Sequence, residues 1–462
     1  MLRPYQVELK KQVLKAFNKV NRVMLQLPTG GGKTITFVDL ASHFVNEGKS
    51  VWILVHRKEL IEQTTSKLVQ YGVRHSVIQA DYHYSRFAPC QVVSVQTVVK
   101  RLSKVTPPDV IICDEAHHST ASTYRKIYEY YPNAKLLGVT ATPVRSNGEG
   151  FKDLFDKLIC GLSVNDLIEQ GYLCKPKIFA KPLTINLNSI KVTAGDFNDA
   201  DLFVAMNNNE TYGDLVASYN QEAKGKKAIV FAVNIEHSKN IVEMYNNAGI
   251  NAEHLDGNTP KMDRKNILER FKSGKTLVLS NVNIITEGFD VPDCEVVQLV
   301  KPTKSLAMYL QMVGRGLRTS PGKDYAIILD HSDSVFYHGF PQQDRKWTLK
   351  GKKKVKGQNE YNENVFIRDK ESKELYTRKD LPKHITDVEL VEINDLTQDE
   401  FRAMVMKQLI NICIDNGKKR GTAWFTFIKM YKPTIADIET FQILSGHNKG
   451  WIWYQKRDFG YL

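Results

Sequence analysis

Short β-branched apolar runs recur through the first third of the chain with the spacing of alternating strands and helices. RVMLQL (22–27), VWILV (51–55), QVVSV (91–95), DVIIC (109–113) and LLGVT (136–140) are apolar on both faces, and stretches of helical period separate them. Such strands need cover on both sides, which the connecting helices of a parallel sheet supply. A second series repeats the pattern: AIVFA (228–232), TLVLS (276–280), EVVQLV (295–300) and AIILD, which ends at Asp330. Helical segments again intervene, one of them from Pro260 to Phe271. The expected fold class is α/β, with two parallel-sheet domains in tandem and a small, mainly helical module behind them.

The first domain is expected over 1–160 and the second over 161–335. Within the second, 161–210 is read as an irregular lead-in, because 183–209 hold no sustained period. The character changes after Asp330, and 336–394 read as a basic linker or arm. Its stretch RKWTLKGKKKVK (345–356) has seven basic residues and no acidic one, so Lys352, Lys353 and Lys354 are candidate phosphate contacts, with a solvated loop as the alternative. The module at 395–462 contains TQDEFRAMVMKQLINICIDN (397–416), which opens on Thr397 and Glu400 in capping-box spacing and stops at Gly417. Its last 40 residues interleave Trp424, Phe425, Phe427, Tyr431, Trp451, Trp453 and Tyr454 with Lys429, Lys432, Lys449, Lys456 and Arg457. These aromatics either stack on exposed bases or build the core of the module.

Composition narrows the class. At 462 residues the chain suits two or three domains, and 42% hydrophobic with 25% charged residues is ordinary globular usage. No apolar run approaches the roughly 18 residues of a membrane span. The opening MLRPYQVELKKQ has no apolar core of an export signal, so a cytoplasmic protein of a bacterial cell, possibly phage-encoded, is expected. Six cysteines stand at least 14 positions apart, with no CxxC pair to found a zinc ribbon or an iron–sulfur site. The net charge of +13 favours a polyanionic partner, although a basic solvated surface produces the same sum.

Two motifs carry chemistry. LPTGGGKT (27–34) follows a strand and precedes a helix, where backbone N–H groups cradle phosphates. Thr29, Gly30, Gly31, Gly32, Lys33 and Thr34 are its nucleotide-binding candidates, with Lys33 toward the β- and γ-phosphates and the Thr34 hydroxyl on magnesium. DEAHH (114–118) directly follows the strand VIIC and so emerges at the carboxyl end of a parallel strand, where ligands bind. Asp114 is placed as the magnesium ligand and Glu115 as the base on the attacking water.

With these motifs in this order, residues 2–330 resemble the superfamily-2 helicases. The resemblance implies two RecA-like domains, ATP and Mg2+ as cofactors, and a motor on nucleic acid. LRPYQ (2–6) is similar to the adenine-reading Q motif, which implies Arg3, Tyr5 and Gln6 as base contacts. ILVHRKELIEQ (53–63) and VSVQTV (93–98) resemble strand-gripping motifs, implying Arg57, Gln96 and Thr97 against a backbone. GVTATP (138–143) resembles motif III, whose Thr140 and Thr142, with His117, would couple hydrolysis to movement. AIVFAVNIEHS resembles motif IV. NVNIITEGFDVPD (281–293) resembles motif V, implying Gly288 and Asp290 at the ribose, and YLQMVGRGLR (309–318) resembles motif VI. Gln311 would contact the γ-phosphate or water, and Arg315 and Arg318, one helical turn apart, would meet it as arginine fingers.

The DEAH spelling, the LRPYQ opening and GVTATPVRSNGEGFKDLFD look most like the XPB and RadD branch, with KVTAGDFNDADL and NKGWIWYQKR RadD-like as well. The cysteine zinc module of RadD-type proteins has no counterpart in this chain. The leading expectation is an ATP-dependent DNA helicase or translocase, a monomer acting on single-stranded, forked or branched DNA in repair, recombination or replication. The motor subunit of a restriction system, an RNA helicase and a binding protein with a dead motor are the alternatives.

Overall fold

The computed structural model describes residues 2–80, 82, 84–145, 148–180, 187–193, 195–207, 209–285, 291–351, 365–369, 375–376, 388–392, 403, 406–407, 410, 419–430, 433–447, 449–459 and 461. They fall into two compact units, Met1–Tyr361 and Asn362–Leu462.

The first unit contains two parallel sheets. In the first sheet the strands are β1 (Arg22–Gln26), β2 (Val51–Val55), β3 (His75–Ile78), β4 (Cys90–Ser94), β5 (Val110–Cys113), β6 (Lys135–Thr140) and β7 (Lys157–Cys160). Their order is β3-β4-β2-β5-β6-β1-β7, and every pair is parallel. The central strands β2, β4 and β5 are buried at every position, as their two-faced apolar runs require. One face holds a core built on Trp52, Leu54, Val93, Ile111, Leu136, Phe151 and Phe155. Burying a side chain such as Leu54 contributes about 1.5–3 kcal/mol.

The second sheet of this unit is built from β8 (Lys175–Ala180), then, after a two-stranded hairpin of β9 (Val192–Thr193) and β10 (Asp196–Phe197), from β11 (Ala228–Phe231), β12 (Ala252–Leu255), β13 (Val278–Asn281), β14 (Val296–Leu299) and β15 (Tyr325–Asp330). Parallel pairing runs β12-β13-β11-β14-β15-β8. Both folds expected from the apolar runs are present, and the helix expected at 260 runs Lys261–Lys272 behind Pro260.

Two expectations are corrected. The described residues of the lead-in form regular structure: a capping box on Ser163 starts the helix Val164–Glu169, β8 joins the sheet, and helices Asp199–Met206 and Asn209–Glu222 follow. The physical anchor is Asp196, which accepts hydrogen bonds from Thr303 Oγ1 and from Lys304 N at 2.7 Å. Described residues of the segment expected as a linker also form structure. Residues 349–351 return to the first sheet's domain, where Phe151 N and Lys152 N donate to Leu349 O at 2.8 and 3.0 Å, and Glu149 bridges Gly351. A Cβ at Gly150 would overlap this strap, so the crossing requires glycine.

The second unit contains antiparallel strands Val365–Asp369, Leu375–Tyr376 and Val388–Glu392 and helices Gly421–Met430, Ile435–Ser445 and Lys449–Asp458. The strands also lie in the stretch expected as linker. Trp424, Phe427 and Phe441 are buried in its core with Trp451 packed beside them, so these aromatics support the fold; Phe425 is exposed. The capping box expected at Thr397 and the stop at Gly417 lie outside the described residues, as do Tyr431, Lys432 and the side chains of Lys429, Lys449, Trp453 and Tyr454.

Candidate active site

β5, β6 and β1 are adjacent, so the loops that leave their carboxyl ends meet at one place. Gly32 caps the helix Lys33–Asn46 in a left-handed conformation (φ 80, ψ 37), which turns the chain so that Lys33 opens the helix. Gly30 is also left-handed (φ 84), and a Cβ there would sit 2.7 Å from Leu173 Cδ2. The three-glycine run is therefore fixed by conformation and close approach together.

The N-terminal helix Pro4–Phe17 supports this loop. Tyr5 Oη donates to Gly31 O at 2.8 Å, and Gln6 Nε2 donates to Gly31 O and Gly32 O at 3.3 and 3.4 Å. Gln6 Oε1 accepts from Arg3 N at 2.9 Å. Tyr5 is buried, which pushes its phenol pKa up, and its hydroxyl is committed to the loop. The structure thus places Tyr5 beneath the phosphate loop, away from the cleft where a base contact was expected. Among the described residues, Tyr172 brings an aromatic ring to the cleft, with the Arg3 guanidinium 4.4 Å from its centroid. Sequence reading missed Tyr172; the GYL that follows the capped helix Val164–Glu169 was its signal.

Lys33 Nζ lies 3.2 Å from Glu115 Oε1, and His117 Nδ1 lies 3.3 Å from Glu115 Oε2. Glu115 is held in a left-handed backbone conformation (φ 47, ψ 54), a strain that non-glycine residues tolerate mainly at functional sites. Asp114 is buried, and its Oδ1 accepts from Glu115 N at 2.9 Å. The same His117 Nδ1 is 3.3 Å from Thr140 Oγ1, and Thr142 N donates to Thr140 Oγ1 at 3.2 Å. The strand before the acidic pair is sealed, and burial pushes the Cys113 thiol up to about 11.

The second sheet's domain closes the cleft of about 320 Å³ with Pro292, Gln311, Arg315, Arg318 and Thr319. The helix Leu306–Val313 starts at Ser305, whose Oγ accepts from Met308 N, and it ends at Gly314. Arg315 and Arg318 therefore lie beyond the helix, a correction to their expected placement one helical turn apart. Tight turns carry them instead, with Arg315 N donating to Met312 O at 3.2 Å and Gly316 N to Val313 O at 3.0 Å. Gly314 touches the opposite domain: a Cβ there would sit 2.5 Å from Thr29 Cγ2. Gln311 is buried at the cleft, and its Nε2 has no hydrogen-bond partner among the described residues. Gly288 and Asp290 lie outside the described residues.

The candidate nucleic-acid residues follow neighbouring strands of the first sheet. Arg57 comes after β2, and its Nη1 donates across to Asn283 O of the second domain at 2.7 Å. Gln96 and Thr97 come after β4; Gln96 is exposed, with Nε2 donating to His56 O at 3.3 Å. Lys352, Lys353 and Lys354 lie outside the described residues. No helix among the described residues is long and apolar enough to cross a membrane.

Two RecA-like sheets with a phosphate loop, an acidic pair and facing arginines define an ATP-hydrolysing helicase. Residues 1–145 match the family model of the type III restriction enzyme res subunit, and 209–320 match the helicase conserved C-terminal domain. The chain belongs to the superfamily-2 helicases. It is 38% identical over 340 residues to a 51.5 kDa protein of a Lactococcus phage, covering 72% of this chain and 71% of that protein. It is 26% identical over 369 residues to the DNA 3'-5' translocase XPB2 of Sulfurisphaera tokodaii, covering 69% and 78%. Against IRC3 of Saccharomyces cerevisiae, 32% identical over 355 residues, 71% of this chain spans about half of the relative, 51%. A fragment of an HsdR-type subunit of a type I restriction enzyme from Vibrio vulnificus shares the fold, with TM-score 0.59 and 21% identity over 74% of this chain and 67% of that one.

Proposed function

We propose that this helicase is a DNA motor of the XPB-like, DEAH-spelled branch, in which ATP hydrolysis between the two sheets drives movement along DNA. The observation that carries the reading is one cleft lined by Lys33, Asp114 and Glu115 from one domain and by Gln311, Arg315 and Arg318 from the other. ATP phosphates sit on the backbone N–H groups of the 29–34 loop, with Lys33 on the terminal phosphates. Thr34 and Asp114 offer the hard oxygen donors that Mg2+ takes, alongside phosphate oxygens. Held there, the ion would supply charge neutralisation at the phosphates. Glu115 positions the attacking water and accepts its proton, and Gln311 directs its buried amide at that water or the γ-phosphate. Arg315 and Arg318 neutralise charge that develops in the transition state. The contacts from Glu115 through His117 to Thr140 and Thr142 carry the nucleotide state to the strand-binding side.

DNA is the favoured track because XPB2, which aligns over 69% of this chain, is by name a DNA translocase. Arg57, Gln96, Thr97 and the basic run at Lys352, Lys353 and Lys354 serve as backbone contacts. They grip phosphate and sugar, and carry no sequence preference. The deciding experiment measures ATPase rate in parallel with single-stranded DNA, duplex, fork, four-way junction and RNA. Stimulation by a branched or single-stranded DNA above that by RNA supports the reading; equal or greater stimulation by RNA overturns it. A second reading, the motor of a restriction system, is favoured by the family model over 1–145. Strand cleavage in the presence of magnesium and ATP would establish it.

A further inference from the structure

Lys323 is a lysine on the far side of the short loop that follows Arg318, a place where an ammonium ordinarily reaches water. It is instead 9% exposed. Its Nζ donates to Gly316 O at 2.5 Å, Cys294 O at 2.5 Å, Arg318 O at 2.8 Å and Pro292 O at 3.2 Å. None of these four acceptors is a carboxylate, so a buried cation is stabilised here by converging backbone dipoles. Burying an ammonium is unfavourable without such partners. Burial also holds the Lys323 pKa below its usual value.

The acceptors come from two segments. Gly316 and Arg318 belong to the turn that carries Arg315 and Arg318; Pro292 and Cys294 lie at the end of 281–293 and just behind it. The helix stops at Val313, so the turn is held by contacts outside it. Its other anchors include an antiparallel bridge between Leu173 and Arg318, bonds from Cys174 N to Leu317 O at 2.8 Å and from the Cys174 thiol to Arg318 O at 3.5 Å, and the packing of Gly316, where a Cβ would sit 2.9 Å from Val297 Cγ2. We infer that Lys323 is a positioning residue: its ammonium ties the arginine-bearing turn to the end of the 281–293 segment and so sets where the two guanidiniums stand at the nucleotide.

This inference rests on the proposed role of Arg315 and Arg318. The test uses the full chain and compares Lys323→Met and Lys323→Gln, which remove the charge, with Lys323→Arg, which keeps it. ATPase kcat and KM are measured, with kcat normalised to sites that bind a fluorescent ADP analogue. The neutral variants are expected to lose at least about tenfold in normalised kcat, with KM for ATP within about threefold of wild type and Lys323→Arg between them and wild type. A neutral variant within about twofold of wild-type kcat overturns the inference. So does a loss that disappears on normalisation, an arginine variant no better than methionine, or failure of both neutral variants to bind nucleotide. Arg315→Ala and Arg318→Ala are run alongside. If they turn over ATP normally, the reading of the arginines fails; if they do not while Lys323→Met does, only the role of Lys323 fails.

Discussion

Lys33 and Glu115 face each other at 3.2 Å, an ammonium and a carboxylate delivered by non-adjacent strands, β1 and β5, with the end of β6 between them. Both are nearly buried, so each neutralises the other until phosphates and water separate them. Replacing Lys33 by Ala, or Glu115 by Gln, is expected to lower ATP turnover by at least tenfold, a loss of about 1.4 kcal/mol or more in transition-state stabilisation. Glu115→Gln should still bind ATP, because only the proton acceptor is lost. Steady-state ATPase with nucleotide titration checks both; more than about a tenth of wild-type turnover in either variant contradicts the assignment.

Gly314 reports on contact between the domains. A methyl group at this position would overlap Thr29 of the phosphate loop. Gly314→Ala is expected to hold the cleft open and reduce kcat by about tenfold, while leaving the melting temperature within a few degrees of wild type. ATPase and thermal melting separate that outcome from misfolding.

His237 predicts an acid limb in stability. It is fully buried, its Nδ1 accepts from Val233 N at 3.4 Å, and desolvation lowers its pKa from 6.5 to about 4. The unfolded chain therefore binds the proton more readily, so stability is lost as pH falls from about 6.5 through 4, approaching about 3 kcal/mol at the limit. His237→Gln keeps an acceptor but does not titrate. Its urea midpoint should fall less between pH 7 and pH 4.5 than that of wild type.

The basic run at 345–356 yields a salt measurement. If Lys352, Lys353 and Lys354 contact duplex phosphates, changing all three to Ala should flatten the slope of log affinity against log salt by about 2–3, at roughly 0.9 per phosphate. Basal ATPase should stay unchanged. An unaltered slope would make the run a solvated loop.

How much of this was legible in the sequence depended on burial. β2 and β5 are covered on both faces and announced themselves as apolar runs. β8 alternates, with Lys175 and Lys177 exposed and Pro176 and Ile178 buried, so it reads as neither an apolar run nor a helix. The helix Asp199–Met206 had a signal in Asn198, whose side chain accepts from Ala200 N and Asp201 N, but its capping letters lay in a stretch without period. At the site, residue types were readable because the chemistry of phosphates restricts them. The placement of Tyr5 was not, since a tyrosine beside a phosphate loop can face the base or the loop, and only the 2.8 Å bond to Gly31 O decides. The arginine pair likewise looked helical until Gly314 ended the helix ahead of it.

The central claim is that the second domain completes the ATP site. It is tested most directly by single-turnover hydrolysis in Arg315→Ala and Arg318→Ala, measured together with nucleotide affinity. Both variants are predicted to bind nucleotide within about threefold of wild type while hydrolysis falls at least a hundredfold, toward the roughly 10³ to 10⁵ that arginine fingers contribute in related enzymes. Wild-type hydrolysis in both variants, or affinity lost in step with the rate, would contradict the account.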